Sequence, residues 1–290
     1  MSVKLRDLST TKQKFFQVNQ QISAKQKADY FCDGYLIIKD FASSLECLTL
    51  KQVIQPYLKQ GEAEDVIFST QDQCHCEEQY FLESGNQIRC FYEQNKRQED
   101  KTRAINKVGH ALHAQDAVFK RWSTSPNIAR LAYDLGMKQP ALIQSMYILK
   151  QPFVGGAVTC HQDAAFLHSS PITVTGFWLA LEDASVENGC LYAIPGGHQS
   201  ELSQRLIRRG NKKVHMQDLA ENEWNIKEAI PLEVKQGTLI VLHGLLPHYS
   251  PANHSSASRH AYAIHAVDLT SDFSNDNWLQ DPCIERLGHC

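Results

Sequence analysis

Ala141-Leu142-Ile143-Gln144-Ser145-Met146-Tyr147-Ile148-Leu149 marks a change of pattern in the chain. From here on the apolar runs are rich in β-branched and aromatic residues, as strands are. They recur at Ile172 to Leu181, Thr238 to Leu242 and Ala261 to Val267. Turn signals separate them at Gly155-Gly156, Asn188-Gly189, Pro195-Gly196-Gly197 and Pro251-Ala252-Asn253. Short strands punctuated in this way predict an antiparallel sandwich or barrel in the C-terminal half. The stretch Leu202 to Ile226 interrupts it with a charged segment compatible with a helix.

Working back toward the N-terminus, Ser23 to Phe41 reads as a short polar helix stopped at Asp33-Gly34, followed by the strand Tyr35-Leu36-Ile37-Ile38. A second helix is expected from Ser43 to about Leu58, and Gly61 to Arg103 reads as irregular connection with short strands. Ser125-Pro126 is an N-cap candidate with proline in the first helical position. Ile128, Leu131 and Leu135 then recur at helical spacing up to Gly136.

The 290 residues, 42% hydrophobic and 21% charged, exclude disorder as the main state. A length-based prior of about two domains competes with one barrel domain carrying an elaborated N-terminal part. The expectation is a single domain over 1–290, with 1–140 supplying mostly helical support and irregular segments. Residues 141–270 would form the core, with an insertion near 200–227. A net charge of −3 lacks the global positive field of a nucleic-acid binder, so no nucleic-acid partner is expected. No apolar run approaches the ~20 residues that span a bilayer, and Met1 to Gln20 is too polar for a signal-peptide core. A cytoplasmic protein with no membrane partner is therefore expected. Nine scattered cysteines without a C-x-x-C pair suit reduced thiols. Cys74-His75-Cys76 lacks a second half at zinc-finger spacing and reads as a polar surface loop.

Chemistry concentrates at Cys160-His161-Gln162-Asp163-Ala164. On a strand, His161 and Asp163 project to one side and can present an imidazole nitrogen and a carboxylate oxygen to one point. The tripeptide alone is common, and it needs a third ligand. Candidates among thirteen histidines are His243 and His248, in the turn after the apolar run Gly237 to Val241. Two histidines and one carboxylate form the facial triad of non-heme Fe(II) oxygenases. Arg259 opens the next strand, and its planar fork suits bidentate recognition of a carboxylate. Together these residues describe a 2-oxoglutarate site.

Seven stretches carry a wider resemblance: Ile105 to His113, Gln144 to Ile148, His161 to Asp163, Gly176 to Asp183, Glu187 to Cys190, Ile194 to His198, and His248 to Arg259. In order and spacing the chain resembles the phytanoyl-CoA dioxygenase family, and within it the branch of phytanoyl-CoA dioxygenase domain-containing proteins. The resemblance implies a mainly β protein with α-helices: a double-stranded β-helix (jelly-roll, cupin-like) core flanked by N-terminal helices. It implies His161, Asp163 and His248 as catalytic iron ligands, and Arg259 as the anchor of the distal carboxylate of 2-oxoglutarate. Lys107, Met146 and Trp178 would line the co-substrate site. The cofactors would be Fe(II), 2-oxoglutarate as co-substrate and O2, and the partner a small-molecule or lipid-like substrate hydroxylated with release of succinate and CO2. A carboxylate at Asp163, where related halogenating enzymes have a small residue, favours hydroxylation. Gly197 stands where the family often has serine, and glycine still permits that turn.

Read without the family, Lys107 is a solvated helix lysine, Met146 and Trp178 are core residues, and His243 competes with His248. His110, His113, His198 and His265 read as packing or hydrogen-bonding residues. Arg205, Arg208, Arg209, Lys212 and Lys213 form a basic cluster that suits a solvated helix face or an anionic substrate group. Two rival functions are a non-catalytic jelly-roll protein that binds a metal or metabolite, and a zinc hydrolase. The latter leaves Arg259 unexplained.

Overall fold

The computed structural model describes residues 21–59, 79–93, 103–210, 213–220 and 224–288. Helix α1 (Ala24–Asp33) starts in a capping box, with Ser23 Oγ accepting from Gln26 N and the Gln26 side chain returning to the Ser23 backbone. It stops at Gly34, whose φ of 81° lets its N–H close on the Tyr30 carbonyl. Strand β1 (Tyr35–Ile38) follows. Helix α2 (Ser44–Val53) opens on a second capping box, Ser43 with Glu46. The single helix expected through Leu58 is two, because α3 (Gln55–Lys59) starts anew around Pro56. Proline has no N–H to continue the ladder and restricts the residue before it.

The next described segments are α4 (Gln79–Leu82), β2 (Ile88–Tyr92), β3 (Ile105–His110), α5 (Leu112–Gln115), α6 (Ala117–Ser123) and α7 (Pro126–Asp134). The α7 helix is where the Pro126 signal puts it, although Ser125 makes no side-chain capping bond. Lys107 lies on β3, buried, and not on a helix. Cys74-His75-Cys76 lies outside the described residues.

The C-terminal half supplies β4 (Pro140–Lys150), β5 (Val158–His161), β6 (Ser169–Ser170), β7 (Thr175–Ala180), β8 (Leu191–Ala193), β9 (Gln204–Arg209), β10 (Lys213–Asp218), β11 (Ile230–Leu232), β12 (Leu239–His243), β13 (His248–Ser250), β14 (Arg259–Asp268), β15 (Asp272–Phe273) and β16 (Glu285–Arg286). The larger antiparallel sheet runs β1-β12-β7-β14-β4-β3-β2, with β16 beside β4. A smaller sheet, β11-β8-β13-β5, faces it. The N-terminal part therefore contributes three strands to the large sheet as well as helices.

Strand alternation divides the core. Phe177 and Leu179 of β7, Leu239 and Val241 of β12, and Tyr262 and Ile264 of β14 pack against Cys47, Leu50, Phe119, Trp122 and Ile128 of the helices. Their neighbours Trp178, Ala180, Ile240, Leu242, Ala261 and Ala263 face Leu191, Ala193 and Leu232 of the smaller sheet. Period-two side-chain placement thus buries both faces of the central strands. This is the jelly-roll layering expected.

The segment expected as a helix after Leu202 is a β-hairpin, β9 paired with β10 in register from Gln204↔Asp218 to Arg209↔Lys213. Leu206 and Val214 bury into a satellite core with Phe81, Leu82, Phe91 and Trp278. Arg205, Arg208, Arg209 and Lys213 lie on strands and not on a helix, and Lys212 lies outside the described residues. Arg205 pairs with Asp276, and Arg208 Nη1 donates to the carbonyls of Leu82 at 3.2 Å and Trp278 at 3.1 Å. Long-range partners, not local helix propensity, fix this hairpin.

Candidate active site

A cavity of about 270 Å³ opens between the two sheets. Strands β5 and β13 are neighbours in the smaller sheet, and His161 and His248 are direct register partners. Their ring centroids lie 4.4 Å apart. Asp163 is not on the strand: β5 ends at His161, and Asp163 begins a 3-10 turn. Gln162 between them keeps extended dihedrals (φ −112°, ψ 132°), so the carboxylate still lies on the side of His161.

Asp163 Oδ1 is 3.6 Å from His161 Nε2 and 3.8 Å from His248 Nε2. One ligand atom from each of the three residues fits within 4.8 Å of the others, a spacing that can hold a metal ion. His161 Nδ1–H donates to the Thr159 carbonyl at 2.8 Å, and His248 Nδ1–H donates to the Leu246 carbonyl at 2.9 Å. Each bond engages Nδ1 as a donor and leaves Nε2 as the atom that faces Asp163 and can ligate a metal, the outer-shell arrangement of metal-bound histidines. His243, the competing candidate, is not in this cluster; its Nδ1 accepts from Leu245 N at 3.1 Å.

The electrostatics suit an anionic ligand oxygen among nitrogen donors. Burial alone would raise the Asp163 pKa, but the charges of His248 and His265 and hydrogen bonds from His161 and His265 hold it well below the carboxylate range. Burial, reinforced by His161, pushes His248 down to about 4. Burial also acts against protonation of His161, but Asp163 outweighs it and raises that pKa.

Arg259 lies on the same cavity, 1% exposed, its guanidinium 5.3 Å from the centre of the Trp178 ring. Its Nε and Nη1 have no partner among the described residues. Burial lowers its pKa to about 10, so it remains charged near neutrality. An uncompensated buried cation calls for an anion in the cavity. Lys107, Met146 and Trp178 line the same space, with Lys107 Nζ 3.9 Å from Met146 Sδ and above the rings of Phe81 and Phe91. All seven residues singled out in the sequence therefore meet on one cavity.

Three further residues line it, and Gln162 supports it from behind. His265 Nε2 lies 3.4 Å from Asp163 Oδ2. It follows Arg259, Ala261 and Ala263 along β14 at the two-residue strand interval, which is the signal that could have found it. Ser250 is related to His248 in the same way. At Gly176 a β-carbon would sit 3.1 Å from Asp163 Oδ2, so glycine keeps the carboxylate free of pressure. Gln162, fully buried, donates to the Leu245 carbonyl at 2.9 Å and accepts from Ser203 N at 2.9 Å. With Ala164 N donating to the Gly244 carbonyl, it pins the Asp163 turn to the loop that delivers His248.

The profile of the family described as Phytanoyl-CoA dioxygenase (PhyH) matches residues 30–261. The chain is 41% identical over 266 residues to the Oryza sativa subsp. japonica protein Phytanoyl-CoA dioxygenase 1, covering 89% of this chain and 94% of that one. It is 38% identical over 276 residues to the Mus musculus Phytanoyl-CoA dioxygenase domain-containing protein 1, covering 89% and 95%. Among solved structures, the non-heme alpha ketoglutarate dependent carbocyclase SnoK from nogalamycin biosynthesis superposes with a TM-score of 0.63 at 18% identity, covering 88% of this chain and 87% of that one. EctD from S. alaskensis, solved with 2-oxoglutarate and 5-hydroxyectoine, gives a TM-score of 0.63 at 19% identity, covering 89% and 80%. These structures share the jelly-roll fold.

Proposed function

The chain belongs to the phytanoyl-CoA dioxygenase family and is a non-heme Fe(II)/2-oxoglutarate-dependent dioxygenase, and from that premise we propose that it hydroxylates a small-molecule or lipid-like substrate with release of succinate and CO2. In this reading His161, Asp163 and His248 hold the iron. Arg259 binds the distal carboxylate of 2-oxoglutarate, and Lys107, Met146 and Trp178 shape the co-substrate site. The observation that carries the reading is the donor set: two imidazoles with Nε2 fixed toward one carboxylate, sharing a cavity with a buried guanidinium whose Nε and Nη1 have no partner among the described residues.

The donors fit the group. Two neutral nitrogens and one carboxylate suit ferrous iron and leave coordination positions for a chelating ligand and dioxygen. In formal charge, a ferrous ion, one carboxylate and doubly ionised 2-oxoglutarate leave one negative charge, so the buried Arg259 gains an anionic partner when the site fills. The chemistry supplied by the bound iron and 2-oxoglutarate is dioxygen reduction coupled to decarboxylation and to oxidation of the substrate. The chain's own residues provide the geometry. The carbonyls of Thr159 and Leu246 orient the two rings, His265 lies beside the second carboxylate oxygen, and Trp178 supplies a flat wall for the guanidinium. The walls at Phe81, Phe166, Leu167, Leu206, Met216 and Trp278 are apolar, which suits a lipid-like or aromatic substrate and excludes water.

The test is a substrate screen by succinate release in the presence of Fe(II), 2-oxoglutarate and O2, with mass spectrometry of the organic product. Succinate formation that requires both cofactors, with a gain of one oxygen in the product, is the expected result. Binding of metal and 2-oxoglutarate without any turnover would support the non-catalytic alternative, and turnover without oxygen would support a hydrolase.

A further inference from the structure

Three residues lining the cavity, His110, Trp178 and His265, carry a buried ring nitrogen that the iron and co-substrate do not explain, and His110 is the one enclosed by aromatic rings. His110 ends β3, is 1% exposed and lines the cavity. Aromatic rings enclose it: Phe91 at 5.3 Å, Trp278 at 5.1 Å and Phe81 at 5.8 Å between centroids. Phe81 and Trp278 are themselves stacked at 4.5 Å. One ring nitrogen is satisfied, with His110 Nδ1 2.8 Å from Ser84 Oγ. The other, Nε2, has no partner among the described residues.

The neighbouring bonds determine which nitrogen carries the proton. Ser84 has one hydroxyl hydrogen, and its Oγ lies 2.6 Å from the carbonyl oxygen of Phe81. Two oxygens at that distance need the hydrogen between them, so Ser84 donates to Phe81 and has only a lone pair left for the imidazole. His110 must then donate from Nδ1. Burial, with Lys107 and His265 nearby, drives its pKa well below the ordinary histidine value, so the ring carries a single proton near neutrality. That proton is on Nδ1, and Nε2 is a pure acceptor inside an aromatic enclosure.

We propose that His110 is a substrate-positioning residue: an Nδ1-protonated imidazole whose Nε2 lone pair accepts a hydrogen bond from an O–H or N–H group on the apolar, ring-compatible part of the substrate. The proposal rests on the dioxygenase reading only for calling that ligand the substrate. It narrows the substrate class, since a plain hydrocarbon chain in this chamber would leave a buried acceptor unpaired, whereas a molecule with a donor at this point is selected. Phe81 and Trp278 supply the flat apolar surface, and Nε2 supplies direction.

Indole and indene test this as a pair of nearly equal shape that differ by an N–H. Their affinities are measured by calorimetry on anaerobic protein loaded with Fe(II) and 2-oxoglutarate. The indene-to-indole Kd ratio should fall about three- to tenfold from wild type to His110→Phe, the worth of one buried hydrogen bond. His110→Gln, whose Oε1 can reach the position of Nε2, should recover part of the ratio, and His110→Asn, which is too short, should not. Independently of any variant, 15N histidine spectra of the zinc-loaded wild-type protein should show His110 protonated at Nδ1, with its Nε2 signal moving on addition of indole and not of indene. An unchanged ratio in the variants, a proton on Nε2, or a ring that ignores indole overturns the proposal and leaves Nε2 with a buried water only. Failure of the dioxygenase reading is visible separately, as wild-type protein that binds no 2-oxoglutarate with Fe(II), whatever indole does.

Discussion

His161 and His248 are register partners on adjacent antiparallel strands, and each ring is fixed by the same local device, an Nδ1–H donated to the carbonyl two residues earlier in the chain. Two segments 87 residues apart thus present equivalent Nε2 lone pairs to the Asp163 carboxylate. The pairing is built into the sheet, so neither histidine depends on a long loop for its position.

Replacing Asp163 with alanine removes the only anionic donor and leaves two neutral imidazoles. Fe(II) affinity should fall by about two orders of magnitude or more, well beyond the ~10- to 100-fold typical of an outer-shell change. Anaerobic metal titration of Asp163→Ala against the parent protein measures it. A variant that binds Fe(II) with unchanged affinity contradicts the ligand assignment.

Arg259→Ala should leave Fe(II) binding intact and weaken 2-oxoglutarate about a hundredfold, as one charge-assisted bidentate pair is worth on the order of 2–3 kcal/mol. Arg259→Lys restores charge but not the fork and should recover only part of the loss. A much smaller effect of the alanine variant would transfer the anchoring role to Lys107.

Lys150, the register partner of Arg259 on β4, is 1% exposed, and its Nζ donates among the carbonyls of Gly156, Ser250 and Pro251. Lys150→Met keeps the stem and leaves those carbonyls without their donor. The expected cost is about 3 kcal/mol, read as a lowered urea midpoint. A midpoint equal to that of the parent would show that the loops reorganise around the loss.

Asp268 at the end of β14 accepts from the backbone N–H of Lys138 (2.6 Å), Gln139 (3.1 Å) and Thr270 (3.0 Å), and from the Thr270 hydroxyl (2.9 Å). Burial opposes its charge, but these bonds outweigh it and depress its pKa. The folded protein therefore holds this proton less tightly than the unfolded chain. The associated stability is complete above the unfolded value of about 3.9 and is lost as pH falls through the lower folded value. Asp268→Asn should be less stable than the parent by about 1–3 kcal/mol at pH 7. The difference should shrink steadily in urea titrations below about pH 4. A difference that stays constant into acid contradicts the assignment.

The sequence made the central strands legible because β7, β12 and β14 bury both faces, and continuous apolar runs are what such strands require. The pair His161 and Asp163 is local and stood out by itself, whereas His248, 87 residues on, competed with His243 until the family resemblance was applied. Lys107 escaped a residue-by-residue reading because nothing around it announces a buried strand, and only the family resemblance pointed to the cavity that it lines. The β9–β10 hairpin was hidden for a different reason. Its arginines are neutralised by Asp276 and by carbonyls of Leu82 and Trp278, about 70 to 126 residues away, and no local pattern encodes those partners. Gln162 looked like a spacer in His-x-Asp, and only the folded chain shows it tying the triad to Leu245 and Ser203.

Equilibrium dialysis of radiolabelled 2-oxoglutarate under anaerobic conditions, with and without Fe(II), tests the joint site most directly. One molecule should bind per chain, with affinity that depends on Fe(II) and on both Asp163 and Arg259. Binding of equal strength in metal-free protein, or none when Fe(II) is present, would contradict this.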